Sequence, residues 1–204
     1  MNIHGSTALV VVDFQGGPGP GDGDPEAFGH RTMLDKAIAL VDGCRAKGVP
    51  VVWIQEVHKP HLRDIGRELD GSEGAHCLEG RPGTEIAYGL APAPDEFHIR
   101  KRRYSSFFGT ELDIVLKAYD VDSLILIGGF TDICILYTAV DAHQKDFFVN
   151  VVTDVVSGSS RQAHDDALKM VHYLQHKSLV TADEVTAWLE QPVPQLHPAA
   201  EPSR

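Results

Sequence analysis

The stretch LILIGGFTDICILYTAVDA, residues 124–142, decides the fold. Its opening residues form a continuous apolar run, the pattern of a strand buried on both faces. Gly128 and Gly129 come next, where the backbone can turn sharply because no Cβ stands in the way. From Thr131 onward apolar residues recur at helical spacing, so a strand passes directly into a helix. Thr131 reads as the N-cap of that helix and Cys134 as its third residue. Unpaired N–H groups and the positive end of the helix dipole favour a thiolate there and lower a cysteine pKa. Taken alone, the stretch also admits a plainer reading, in which Cys134 is a small buried hydrophobe packing helix on sheet.

The same rhythm extends along the chain. TALVVVDF, VPVVWIQEV, EFHIRK, SLILIGG, FFVNVVTD and a weaker SLVTADE read as six strands. Between them, RTMLDKAIALVDGCRAKG, GTELDIVLKAYD, TDICILYTAVDAHQK and RQAHDDALKMVHYLQHK have helical periodicity. The alternation predicts an α/β domain of three layers, α/β/α, around a central, mostly parallel six-stranded sheet. Right-handed crossovers then gather the carboxyl ends of the strands along one edge, where such sheets bind ligands. Two stretches break the rhythm. Residues 15–31, QGGPGPGDGDPEAFGHR, read as a loop, and residues 58–85 form a long segment dense in His, Asp and Glu. A length of 204 residues suits one domain, placed at 1–190, followed by a Pro-rich tail at 191–204.

Composition narrows the class. The chain is 43% hydrophobic and 23% charged, as in ordinary globular proteins. A net charge of −11 argues against nucleic acid and anionic membrane surfaces as partners. The one basic cluster is RKRR, Arg100 to Arg103. No apolar run approaches a membrane span and the N-terminus has no basic leader, which reads as cytoplasmic. Three cysteines, Cys44, Cys77 and Cys134, do not make a disulfide framework.

A nucleophilic thiol needs a proton acceptor and a cation to hold the charges in place. Asp13 follows three valines in VVVDFQ, and Lys101 closes FHIRK, so both stand at predicted carboxyl ends of strands. Each has an ordinary alternative, a turn-forming aspartate and a solvated lysine.

Three motifs in order, ALVVVDFQ, KRRYSSFFGTELDIVL and IGGFTDICILYTAVDA, resemble the isochorismatase-like cysteine hydrolases, a family that includes nicotinamidase and N-carbamoylsarcosine amidase. The resemblance covers about residues 7 to 181 and extends to VVTDVVSGSS followed by HDDALKM. It implies a catalytic triad of Cys134, Asp13 and Lys101, with an acyl-enzyme formed on the cysteine and then hydrolysed. It also implies an oxyanion hole of backbone N–H groups at Phe130 and Cys134, beside a cis peptide between Gly129 and Phe130. The expected substrate is a small carboxamide or ureide, nicotinamide-like or N-carbamoyl-like, and the expected assembly a homodimer or homotetramer. Phe14, Phe107 and Tyr137 lie beside the motif residues as candidate pocket walls, with core packing as their alternative.

WIQEVHKPHLRD and the later AHCLEGRPGTE resemble the nicotinamidase metal segment. Carried over, the ligands are Glu56, His58 and His76, with His61 in reserve, a set suited to one divalent Zn, Fe or Mn ion. Glu56 departs from the family's aspartate. The alternative is a metal-free loop held by hydrogen bonds. Two other functions of the same fold compete: cleavage of a vinyl ether, as by isochorismatase, which does not need the cysteine, and a non-catalytic binding role.

Overall fold

The structure, a computed structural model, describes residues 1–16 and 30–192, without the side chains of residues 30–32. Most of the glycine- and proline-rich loop and residues 193–204 of the tail therefore lie outside the described residues. Six strands, β1 (Ser6–Val12), β2 (Val51–Glu56), β3 (Phe97–Lys101), β4 (Val121–Gly129), β5 (Phe148–Ser157) and β6 (Leu179–Val180), form one sheet in the order β3-β2-β1-β4-β5-β6. Every pairing is parallel.

The apolar runs are continuous because the central strands are covered on both sides. Alternate residues of β1 divide between two cores: Ala8, Val10 and Val12 enter one, Leu9 and Val11 the other. In β4, Leu124 and Leu126 lie on the first side and Ile125 and Ile127 on the second. Helix α1 (His30–Ala46) covers the second face, while α2 (Leu112–Ala118), α3 (Leu136–Gln144) and α4 (Arg161–Leu174) cover the first. A further helix, α5 (Ala182–Leu189), packs beside α1 on the second face, bringing the Leu189 side chain close to Gly43. Thr181 and Glu184 close a capping box at its start.

From β1 the chain steps outward to β2 and β3, then returns to the other side of β1 and continues through β4, β5 and β6. The crevice between the ends of β1 and β4 is thus the topological switch point, where sheets of this kind place their ligands. The two strand ends come unusually close there. Gly128 has φ +121, and a Cβ on it would lie 1.8 Å from the carbonyl oxygen of Val12. Only glycine fits that position.

Candidate active site

Each of the three residues expected to act together sits at a strand end on this edge. Asp13 directly follows β1, Lys101 is the last residue of β3, and Cys134 lies five residues beyond β4. Asp13 has φ +46, an uncommon conformation for a non-glycine residue and one that clusters at functional sites. Its Oδ1 accepts the Glu56 N–H at 2.7 Å, which fixes the carboxylate. Lys101 Nζ lies 2.8 Å from Asp13 Oδ2 and 3.3 Å from Cys134 Sγ. Lys101 is only 1% exposed and Cys134 7%. A buried ammonium survives only when paired, and this one has two carboxylates, Asp13 and Glu56.

The segment bearing the thiol begins differently from the sequence expectation. Residues Thr131–Ile135 form a π-helical turn that continues into α3, a feature found often at functional sites. Phe130, not Thr131, occupies the cap position, and no side chain caps the turn. The Thr131 hydroxyl is instead buried against His164 Nδ1 at 2.8 Å, while Asp132 accepts from Ser159 N–H at 2.8 Å. The turn is therefore clamped to the start of α4. The Gly129–Phe130 peptide is cis, as the resemblance implied. Ile133 N–H donates to Phe130 O at 3.1 Å, so that donor is already committed.

The charge state of the thiol is a second correction. Burial holds the Cys134 thiol well above its ordinary value, with the nearby carboxylates adding to the shift and Lys101 opposing it. The helix start does not outweigh removal from water. Asp13 is pushed up by burial to about 6, Lys101 pulling the other way. Burial disfavours the charge on Lys101, but Asp13, Cys134 and Glu56 overcome it and hold the ammonium well above its usual range. At neutral pH the site therefore holds a thiol, a carboxylate able to accept its proton, and a permanent cation.

Glu56, the last residue of β2, is paired laterally with Lys101 in the sheet. The longer side chain, in place of the family's aspartate, reaches two ways. Oε2 pairs with Lys101 and accepts from Cys134 Sγ at 3.6 Å, while Oε1 lies 3.1 Å from His58 Nε2 and 2.8 Å from His76 Nε2. Burial would raise its pKa, but His58, His76 and Lys101 together hold it well below the carboxylate range. His76 is pushed up to about 9, chiefly by its bond to Glu56.

The sequence reading missed one member of this group. Glu68, from a short 3₁₀ turn at Gly66–Asp70, brings Oε2 to 3.3 Å from His58 Nε2 and 3.6 Å from His76 Nε2. Potential ligand atoms of Glu56, His58, Glu68 and His76 all lie within 4.8 Å of one another. Both Glu68 carboxylate oxygens are buried without a hydrogen-bond partner. Two buried carboxylates and two imidazoles converging on one point, one carboxylate unsatisfied, fit a divalent cation. His61 is not among them; it is exposed, and its Nδ1 accepts the Arg63 N–H.

Beside this cluster opens a cavity of about 440 Å³, whose lining includes Glu68, Arg103, Tyr104, Tyr137 and Asp141. Of the three aromatic residues expected as pocket walls, Tyr137 lines it and is 49% exposed. Phe14 is instead packed in the core on the far face of the sheet, and Phe107 in the near core, stacked on Phe147. Strict alternation would put Phe14 on the side of Val10 and Val12; the positive φ of Asp13, +46, ends the strand and breaks that alternation, and Phe14 enters the core of Leu9 and Val11 instead. Cys44 and Cys77 are free thiols; burial pushes both above the ordinary thiol value, Cys44 to about 12.

Fold and site together describe a three-layer α/β domain with a buried cysteine at the switch point of its parallel sheet. Residues 7–184 match the isochorismatase domain, and the chain belongs to the isochorismatase family. Among similar proteins, the nicotinamidase of Escherichia coli is 29% identical over 186 residues, covering 78% of this chain and 87% of that protein. A probable inactive nicotinamidase of Arabidopsis thaliana is 28% identical over 165 residues, covering 78% and 84%. The crystal structure of N-carbamoylsarcosine amidase from Thermoplasma acidophilum superimposes with a TM-score of 0.72 at 28% identity, covering 87% of this chain and 97% of that one. The similar proteins thus include two amide hydrolases, a nicotinamidase and an N-carbamoylsarcosine amidase. Among the described residues, no helix is long and apolar enough to cross a membrane.

Proposed function

We propose that the protein is a cysteine-dependent amidohydrolase that cleaves a small carboxamide or ureide through an acyl-enzyme on Cys134, releasing ammonia or an amine. The observation that carries this reading is Lys101 Nζ set between Asp13 Oδ2 and Cys134 Sγ, at 2.8 and 3.3 Å. In this mechanism Asp13 accepts the thiol proton as sulfur attacks the carbonyl carbon. Lys101 stabilises the thiolate while it exists and keeps the carboxylate oriented. The oxyanion that forms on the carbonyl oxygen is received by the N–H groups of Phe130 and Cys134, donors of a kind that contribute on the order of 10² to 10³ in rate. Asp13 then returns its proton to the departing nitrogen, giving a thioester on Cys134. Finally Asp13 takes a proton from water as that water attacks the thioester, releasing the acid and restoring the thiol.

Glu56, His58, Glu68 and His76 would hold a divalent ion of the Zn, Fe or Mn group. Such an ion supplies a Lewis-acidic point that orients a polar substituent of the substrate. The chain's own part is to bring four ligand side chains together beside the nucleophile and, through Glu56, to tie that cluster to Lys101.

The test is ammonia release by wild type and Cys134→Ala from nicotinamide, pyrazinamide, maleamate, biuret and N-carbamoyl amino acids, with and without chelator. Release that depends on Cys134 supports the reading. Release that survives Cys134→Ala refutes the covalent mechanism.

A further inference from the structure

Two hydroxyls on the helical segment that bears the nucleophile are fully buried, those of Thr131, before Cys134, and Thr138, one turn after it. Thr131 meets His164, which holds the turn to α4. Thr138 meets a different neighbour, the pair of serines that follows Lys101 in the chain. Ser106 N–H donates to Thr138 Oγ1 at 2.9 Å, and the Thr138 hydroxyl donates back to Ser106 Oγ at 2.9 Å. Ser106 is itself fully buried. Beside this pair, Ser105 Oγ donates to Asp141 Oδ2. Apart from the Lys101–Cys134 contact, these are the hydrogen bonds among the described residues that join residues 101–111 to residues 131–144.

The thiol and the ammonium need such a tie. Lys101 closes β3 and Cys134 follows β4, and β2 and β1 lie between those strands, a separation of about 14 Å at about 4.8 Å per strand. The sheet fixes the Lys101 backbone through its register with Glu56. The place of the thiol depends on where its helix lies. Ile135, Ala139 and Ala142 pack that helix into the first core, but apolar contact is non-directional, and the two alanines offer little resistance to sliding. Hydrogen bonds are directional, and a buried hydroxyl costs stability unless it is bonded. The reciprocal Ser106–Thr138 pair therefore admits one position of the helix against the segment that leaves Lys101.

We propose that Ser106 and Thr138 are positioning residues of the catalytic centre, a buried two-bond clamp that sets the distance between the Cys134 thiol and the Lys101 ammonium. The inference rests on the amidohydrolase reading and adds to it the device that holds the nucleophile at its cation. Neither residue touches the thiol; each acts through the helix or strand end beside it.

The experiment replaces Thr138 by valine, which keeps the shape of the side chain and removes its hydroxyl. A misplacement of about 1 Å can cost on the order of 10²-fold in rate, so kcat for ammonia release from the panel amide that wild type cleaves is expected to fall about tenfold or more, with KM unchanged. Alkylation of Cys134 by iodoacetamide, read by peptide mapping so that Cys44 and Cys77 are counted separately, is expected to slow by a similar factor in protein shown to be folded by circular dichroism. Thr138→Ser should restore both rates. Ser106→Ala keeps the bond from Ser106 N–H and loses only the return bond, so it should slow both rates in part, and it decides the matter if Thr138→Val does not fold. Unchanged or faster alkylation in the folded variant overturns the inference, even where the melting midpoint falls, because a merely structural pair would lower stability and leave the thiol in place. Failure of the parent reading looks different: no ammonia from any compound, or release that persists in Cys134→Ala. The alkylation rates then decide the clamp by themselves.

Discussion

Replacing Asp13 by asparagine leaves the shape of the site almost unchanged and removes the carboxylate proposed to accept the thiol proton. The size of the effect follows from the two neighbouring groups. Burial holds the Cys134 thiol above its ordinary value, so almost none of it is thiolate at neutral pH and attack requires a base. Glu56 is the other carboxylate near sulfur, but it stands 3.6 Å away and its pKa is held far down by two imidazoles and Lys101, which makes it a poor proton acceptor. A positioned general base contributes about 10²- to 10⁴-fold. With no competent substitute, the loss should fall in the upper part of that range, about 10³-fold or more in kcat/KM, or about 4 kcal/mol of transition-state stabilisation. The pH profile gives an independent readout. Asp13 has its pKa raised to about 6, so it is protonated and inactive below that pH. Wild-type kcat/KM should therefore fall about tenfold per pH unit on the acid side of about 6, and Asp13→Asn should lack that limb. The assay is ammonia release from pH 4.5 to 8.5, with circular dichroism confirming that the variant is folded. A loss of less than tenfold, or an acid limb unchanged in Asp13→Asn, would refute the assignment of Asp13 as the base.

Other perturbations probe the remaining parts. Gly128→Ala forces a Cβ to within 1.8 Å of the Val12 carbonyl at a φ of +121, and should cost about 4 kcal/mol or more; an unchanged melting midpoint would show that the strand ends are not so closely apposed. His76→Ala should weaken retention of a divalent ion at least tenfold, measured by metal analysis after dialysis against a graded chelator series; equal retention by variant and wild type would exclude His76 as a ligand. His164→Ala removes the partner of the buried Thr131 hydroxyl and should lower stability by about 1 to 3 kcal/mol and slow alkylation or acylation at Cys134; normal behaviour in both respects would mean the clamp does not position the turn.

Much of this arrangement was legible in the residues. Continuous apolar runs identified the strands of a sheet covered on both faces, and alternation with helical patterns identified the layers. Asp13, Lys101 and Cys134 each stand at or just beyond the end of a readable strand, so their meeting on one edge follows from the fold, whereas their joint role as a triad came from the family resemblance. Helix α5 was passed over although its capping box, Thr181 to Glu184, stands in the sequence, because the two-residue strand before it is too short to announce a new unit. Glu68 was missed for a different reason. It lies in an irregular segment where no periodicity constrains direction, and it reaches the imidazoles only because the chain turns at Gly66. The helix-start argument for Cys134 considered the dipole without the cost of leaving water, and burial proved the larger effect. Phe14 and Phe107 were assigned by proximity along the chain, which does not determine which face of the sheet a side chain enters.

The most direct test of the central claim is the intact mass of the protein quenched in acid within its first turnovers on a cleaved amide, followed by peptide mapping. The account predicts an adduct of the acyl group on Cys134 that disappears as acid product forms, and no adduct in Cys134→Ala. Full turnover by Cys134→Ala, or an adduct on any other residue, would contradict it.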